Sequence, residues 1–238
     1  MFFSAMSIAM LYYLFTGQFK KAVYRNEQLK WYLIIILLFS SILFLILLNY
    51  DIATGKMVKN AFFIVISTIS TTGYYLKDFH HSELSIVLII FILMFIGGFS
   101  GSTTGGVKIV RILTLAKYVH AQFKRLIHPQ AILRVNVNGE TVRPERINII
   151  FVFCLLYIVF FICGAMILCL CGQGLIDAMS MSASLLGNIG PAIGSICTDC
   201  SYASLPAIAK WAMSFLMLAG RLEIFSLVAL FSIQFWRN

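Results

Sequence analysis

Residues 61–74 read AFFIVISTISTTGY: a nine-residue apolar run, Ala61 to Ile69, ending in Ser70-Thr71-Thr72-Gly73-Tyr74. Residues 175–191 read LIDAMSMSASLLGNIGP, a short and mainly apolar stretch ending in Gly187-Asn188-Ile189-Gly190-Pro191. A hydrocarbon core about 30 Å thick needs roughly 20 helical residues. Neither stretch is that long, yet each lies between longer apolar segments. Each is therefore expected to enter the membrane zone and turn back. Irregular backbone at that depth is tolerated only inside protein or beside a water-filled cavity. The turns at Thr71–Tyr74 and Asn188–Pro191 are accordingly expected to line a wet pathway.

The surroundings support a membrane reading. Hydrophobic residues are 61% of the 238-residue chain and charged residues 11%, against roughly a quarter charged in soluble domains. Trp31–Leu48 and Ile147–Cys171 carry no charge and are long enough to span a bilayer. A further apolar helix is expected from about Leu84 to Ile96, and a last one from about Pro206 to Trp236. Met1–Phe15 is also apolar and reads as the tail of a membrane helix; a cleaved signal is the alternative, but no basic stretch precedes it. The pattern long span, short turn-ended stretch, span thus occurs twice. It divides the chain into a preceding helix end with its linker (1–28), a first repeat (29–128), a linker (129–144) and a second repeat (145–238). The expected fold is an all-α membrane protein of two helix–pore-loop–helix units.

Charge orients it. Lys20, Lys21, Arg25 and Lys30 form one basic cluster; Lys108, Arg111, Lys117, Lys124, Arg125, Arg134, Arg143 and Arg146 form another. By the positive-inside rule, both flanks face the cytoplasm. Orientation explains the net charge of +9, so no nucleic-acid partner is invoked. Cys154, Cys163, Cys169 and Cys171 belong to an apolar span and behave as small hydrophobes. Cys197 and Cys200 form a CxxC in an outer loop, expected as thiols or a local disulfide; no second pair of ligands suggests zinc.

The turns suggest a ligand. Gly73 and Gly190 permit backbone angles that other residues avoid. Successive carbonyls can then point at one axis, as in rings that replace the hydration shell of potassium. The C-terminal dipole end of each short helix also favours a cation. Below each turn the following helix is interrupted. In the first repeat the break is Gly97-Gly98-Phe99-Ser100-Gly101-Ser102-Thr103-Thr104-Gly105-Gly106, with Lys108 just beyond; five glycines in ten residues disfavour continuous helix. In the second it is Gly220-Arg221-Leu222-Glu223. The first segment is expected to be a gate beneath the filter. An intramembrane Arg221 is expected to face a cavity or a partner, either the gate loop, the pore water or a carboxylate elsewhere. The GSTTGGVK run at 101–108 is no phosphate loop: Val107 separates glycine from Lys108, and an apolar helix precedes it.

Taken together, STTGY (70–74), GGFSGSTTGGVKIVR (97–111), GNIGP (187–191) and GRLEIF (220–225) resemble the Trk/Ktr potassium-uptake family, in its Trk H-type membrane subunit. The resemblance covers nearly the whole chain. It implies four pore-loop repeats around one pore, of which this chain matches the third and fourth; the missing repeats are expected on the same longer chain, the alternative being that two chains combine. It implies a potassium filter at Thr71, Thr72, Gly73, Asn188, Ile189 and Gly190, a gate at Gly97–Gly106 ending at Lys108, and a pore arginine at Arg221. It further implies multi-pass residence in the cytoplasmic (inner) membrane in contact with lipid, a homodimer, a cytosolic nucleotide-binding Trk A-type regulatory subunit, K+ as transported ion and no organic cofactor. A sodium-coupled carrier with broken helices is the rival; both repeats starting from a basic cytoplasmic flank count against it. No HExxH, serine–histidine or paired acidic motif suggests an enzyme. His80, His81, His120 and His128 read as solvated side chains.

Overall fold

The structure, a computed structural model, describes residues 1–17, 26–48, 54–74, 84–128, 134–193, 202–203, 205–231 and 236. Cys197, Cys200, His80, His81, Lys20, Lys21 and Arg25 lie outside the described residues. After a single 3-10 turn at Phe2–Ala5 comes α1 (Ile8–Phe15). The first repeat holds α2 (Glu27–Leu47), α3 (Thr54–Ile69), α4 (Leu84–Phe95) and α5 (Ile109–Ile127). A ribbon of β1 (Asn136–Val137) and β2 (Glu140–Thr141) precedes the second repeat: α6 (Pro144–Leu170), α7 (Leu175–Leu186), α8 (Ala207–Arg221) and α9 (Glu223–Leu230).

The termini of these helices have local causes. Asn26 caps α2, its side chain accepting from the Gln28 amide at 3.3 Å. Pro144 opens α6 at the first turn, where its missing N–H costs nothing. Within the linker, Asn138 and Gly139 both have positive φ, 55° and 82°, and pair Val137 with Glu140 across a two-residue turn. The Asn138 side chain in turn accepts from the Glu27 amide at 3.0 Å, tying the linker to the start of α2.

Among the described helices, α2 and α6 are long and apolar enough to span a membrane, and α8 with α9 makes a third if the pair, bent by 114°, counts as one span. The outward face of α6 is apolar and exposed, for example Phe151, Leu155, Ile158 and Met166, as a helix solvated by lipid requires. α7 is the opposite case. Its 12 residues measure about 18 Å, and Ala178 and every residue from Ser180 to Leu186 are buried. Three serines among those residues let neighbouring backbones close in. Gly164 of α6 does the same from the other side: a Cβ there would stand 2.6 Å from Leu216 of α8 and 2.7 Å from Ser182 Oγ. α3 corresponds to α7, but begins at Thr54, seven residues before the apolar run that announces it.

Two large hydrophobic cores result, one around α2, α3 and α4, the other around α6, α7 and α8, and a smaller cluster of Leu113, Val135, Val137 and Ile147 joins α5 to the linker ribbon and the start of α6. Rings join the two large cores. Phe95 of α4 lies 5.1 Å from Phe161 and 6.1 Å from Tyr157, both of α6, centroid to centroid. The seam fixes the two repeats side by side and so sets the spacing of the turns that follow α3 and α7.

Candidate functional site

The two turns have the same build. Thr71 and Asn188, at matching places after their helices, both adopt positive φ, 50° and 54°. Gly73 and Gly190, two residues further on, do so as well, at 68° and 106°. The amide of Thr71 donates to Thr68 O and that of Asn188 to Leu185 O, each at 3.1 Å; Thr72 N bonds Ser67 O and Ile189 N bonds Ser184 O. Left-handed backbone at these positions turns the chain out of helical pairing, and the Gly190 carbonyl accepts from Tyr202 Oη at 2.8 Å.

The turns also touch. A Cβ on Gly73 would overlap the carbonyl oxygen of Ile189 and lie 2.7 Å from Pro191 Cδ. Only a residue without a side chain lets the first turn approach the second so closely. Thr71, Thr72, Gly73, Asn188 and Gly190 are half-buried, whereas Ile189 is buried and packs against the first core.

Two serines brace the turns. Ser67 Oγ donates to Tyr74 O at 3.0 Å, and Ser184 Oγ to Pro191 O at 2.5 Å. The bonds are equivalent: each runs from the last turn of the short helix to the carbonyl just past the glycine. Ser180 Oγ adds a bond to Ile193 O at 2.5 Å. Sequence reasoning did not single these residues out. Their signal was available: serine at the same place in two buried short helices, where a hydroxyl needs a partner.

The glycine-rich segment lies directly below. Its ends meet in a parallel bridge, Gly97 N to Val107 O at 2.5 Å and Val107 N to Phe95 O at 3.0 Å. Phe99 is fully buried and packs on Tyr32 at 5.2 Å between centroids. Gly98 N bonds Thr104 Oγ1 at 3.0 Å, and Ser102 Oγ shares a 2.6 Å bond with that same hydroxyl. Ser100 N reaches Gln28 Oε1 at 3.1 Å. Gly101 turns with φ 79°, and Gly106 with φ 70°. Gly105 sits against Gly187, whose carbonyl a Cβ on Gly105 would overlap. The segment therefore abuts the end of α7, immediately under the second turn.

Cations hold three successive carbonyls of this segment. Buried Lys108 donates through Nζ to Ser102 O at 2.7 Å and Thr104 O at 2.9 Å, while Arg221 Nη1 donates to Thr103 O at 2.6 Å. Arg221 ends α8, and the chain bends at Leu222. Glu223, at φ 51°, forms an ion pair with Arg111 of α5 at 2.7 Å, and Arg111 stacks 3.9 Å above the Phe153 ring. Gly220 permits the close fit, since a Cβ there would overlap Leu186 O. Between the segment and the bend lies a cavity of about 240 Å³, lined by Ser102–Gly106, Lys108, Tyr157 and Arg221 among others. No group of three or more His, Cys, Asp or Glu that could hold a metal occurs among the described residues; the cavity offers backbone carbonyls, hydroxyls and the Glu223 carboxylate, which is paired with Arg111. The described cysteines, Cys154, Cys163, Cys169 and Cys171, are free thiols.

Known proteins resemble this chain in sequence and fold. The family model described as "TrkH: Cation transport protein" matches residues 15–237. The Trk system potassium uptake protein TrkH of Halomonas elongata is 34% identical over 191 residues, 80% of this chain and 39% of that protein. TrkH of Salmonella typhimurium is 32% identical over 228 residues, 94% of this chain and 47% of that protein. The crystal structure of the potassium transporter TrkH from Vibrio parahaemolyticus superposes with a TM-score of 0.89 at 29% identity, covering 99% of this chain and 51% of that one. The chain thus spans about half the length of the relatives it matches. A match across nearly all its residues, together with the paired turns, places this chain in the TrkH family of cation transport proteins.

Proposed function

We propose that this chain supplies two walls of a potassium-conducting pore that brings K+ across the cell membrane. The observation that carries the reading is the contact of Gly73 with Ile189: two non-helical turns of identical backbone pattern, in register and side by side. Thr71, Thr72 and Gly73 form one wall of the filter, and Asn188, Ile189 and Gly190 the other, mainly through backbone oxygens. Such oxygens replace the water that K+ sheds. The C-terminal ends of α3 and α7 point their partial negative charge at the same place.

Gly97–Gly106 acts as the gate. Its carbonyls at Ser102, Thr103 and Thr104 would otherwise greet an ion leaving the filter, but Lys108 and Arg221 occupy them. Two fixed positive charges below the filter also oppose a cation. This arrangement describes a closed pathway, and opening requires these bonds to part.

The remaining walls come from further pore repeats. By family resemblance the working assembly is a homodimer in the inner membrane, bound on its basic side to a cytosolic nucleotide-binding subunit of Trk A type. The test is uptake of labelled K+ and Na+ by cells expressing the protein. Gly73→Ser is expected to lower preference for K+ over Na+; an unchanged preference in a variant that reaches the membrane overturns the filter assignment.

A further inference from the structure

Away from the pore, α5, the start of α2 and the linker ribbon border an open cleft of about 510 Å³. It lies at the end of the spans that the charge pattern assigns to the cytoplasm. Lys117, His120, Lys124 and Arg134 line it, with Trp31 on one side and the buried side chains of Leu113 and Val135 within it. Among the described residues, no aspartate or glutamate lines it. Lys117 is engaged, paired with Glu27 at 2.5 Å and donating to Asn136 O at 2.8 Å. Lys124 and Arg134 make no ion pair among the described residues and are exposed.

Three features define what fits. The cleft is positive and carries donors, so its ligand is an anion with several acceptor oxygens. Its walls are largely apolar, which a small hydrated anion does not need. Trp31 lies at the start of an apolar span, where indole rings sit at headgroup level. The neighbouring flank of α5 exposes Val119, Phe123, Leu126 and Ile127, by 49, 62, 77 and 72%. Beside a basic face, such a flank suits a helix lying in the membrane interface.

We propose that this pocket binds the phosphate headgroup of an anionic phospholipid, with its acyl chains along the apolar flank of α5. Lys124 and Arg134 hold the phosphate, His120 offers a further ring N–H, and Leu113 and Val135 take the glycerol and first methylenes. Because α5 follows the glycine-rich segment directly, lipid bound here bears on the position of that segment.

The test uses the purified full protein and native mass spectrometry with dioleoyl phosphatidylglycerol or dioleoyl phosphatidylcholine. Retention of phosphatidylglycerol over phosphatidylcholine is expected. Each basic residue near an anionic surface contributes roughly five-fold, so Lys124→Gln with Arg134→Gln should weaken phosphatidylglycerol roughly 25-fold by the same scale. Both side chains are exposed, so the fold should survive, which thermal unfolding checks. Lys56→Gln with Lys59→Gln, on the opposite flank, should change nothing. Equal retention of the two lipids, or full retention by the Lys124/Arg134 variant, overturns the proposal. Displacement of the lipid by millimolar inorganic phosphate shows a free-phosphate site instead. Lipid-independent disulfide cross-linking of two copies through Arg134→Cys shows that a second chain fills the pocket.

Discussion

Arg221 Nη1 donates to the carbonyl oxygen of Thr103 at 2.6 Å, joining residues 118 apart in sequence and in different repeats. Arg221 is exposed to the cavity rather than enclosed by protein. Its bond therefore contributes at the low end for a charged donor, about 1.5 kcal/mol. If the bond holds the proposed gate shut, Arg221→Ala should raise K+ flux roughly ten-fold on that figure. The thermal unfolding temperature should fall by only a few degrees. A variant that folds normally and conducts no faster would sink the latch.

Lys108 offers a contrast. It is 7% exposed, and its ammonium satisfies two carbonyls. Lys108→Met keeps the unbranched apolar stem but lacks the terminal ammonium and orphans those oxygens, at about 1–3 kcal/mol each when buried. The expected result is both a lower unfolding temperature and a higher flux. Stability equal to that of the unaltered protein would show that water takes the ammonium's place.

Gly73 and Gly190 should not respond alike to alanine. Both have positive φ, which strains any L side chain by about 1 kcal/mol or more. At Gly190 nothing lies within 4 Å of an added Cβ, whereas at Gly73 the Cβ would overlap Ile189 O. Gly73→Ala should therefore push the two turns apart and lose K+ selectivity, while Gly190→Ala retains more of it. Competitive K+ and Na+ uptake ranks the two; the reverse order would contradict the contact.

Ser67→Ala and Ser184→Ala each remove one hydroxyl bond that braces a turn. A neutral bond of this kind contributes about 0.5–1.5 kcal/mol. Both variants should stay folded and admit more Na+, Ser184→Ala more strongly because its 2.5 Å bond is shorter than the 3.0 Å bond of Ser67. Selectivity unaltered in both would mean that backbone bonding alone holds the turns.

Much of this architecture is legible in the sequence for a simple reason. A stretch such as Leu175–Leu186 is too short to cross lipid and too apolar to leave it, so its length alone forces a re-entrant path. Glycines mark the places where chains meet most closely, as at Gly73 and Gly105. The first turn of α3 was less visible, because Gly55, Lys56 and Lys59 give no apolar pattern although they are helical. The linker ribbon is hard to read from sequence despite the Asn138-Gly139 signal, its strands being only two residues long. Partners across the repeats, Arg221 with Thr103 and Arg111 with Glu223, are set by how α4 and α6 pack through Phe95 and Phe161; no local pattern encodes them.

The glycine-rich segment is anchored unequally. On its early side Phe99 N is bonded to Ala5 O at 2.9 Å and the Phe99 ring is sunk in the first core. On its late side, Arg221 grips Thr103 from the opposite repeat, in a spot open to solvent. If the segment is the proposed gate, it would swing like a door, hung at Phe99 and bolted at Thr103. Substitutions near Phe99 should damage assembly of the whole chain, whereas those near Thr103 should alter only how often the door stands ajar.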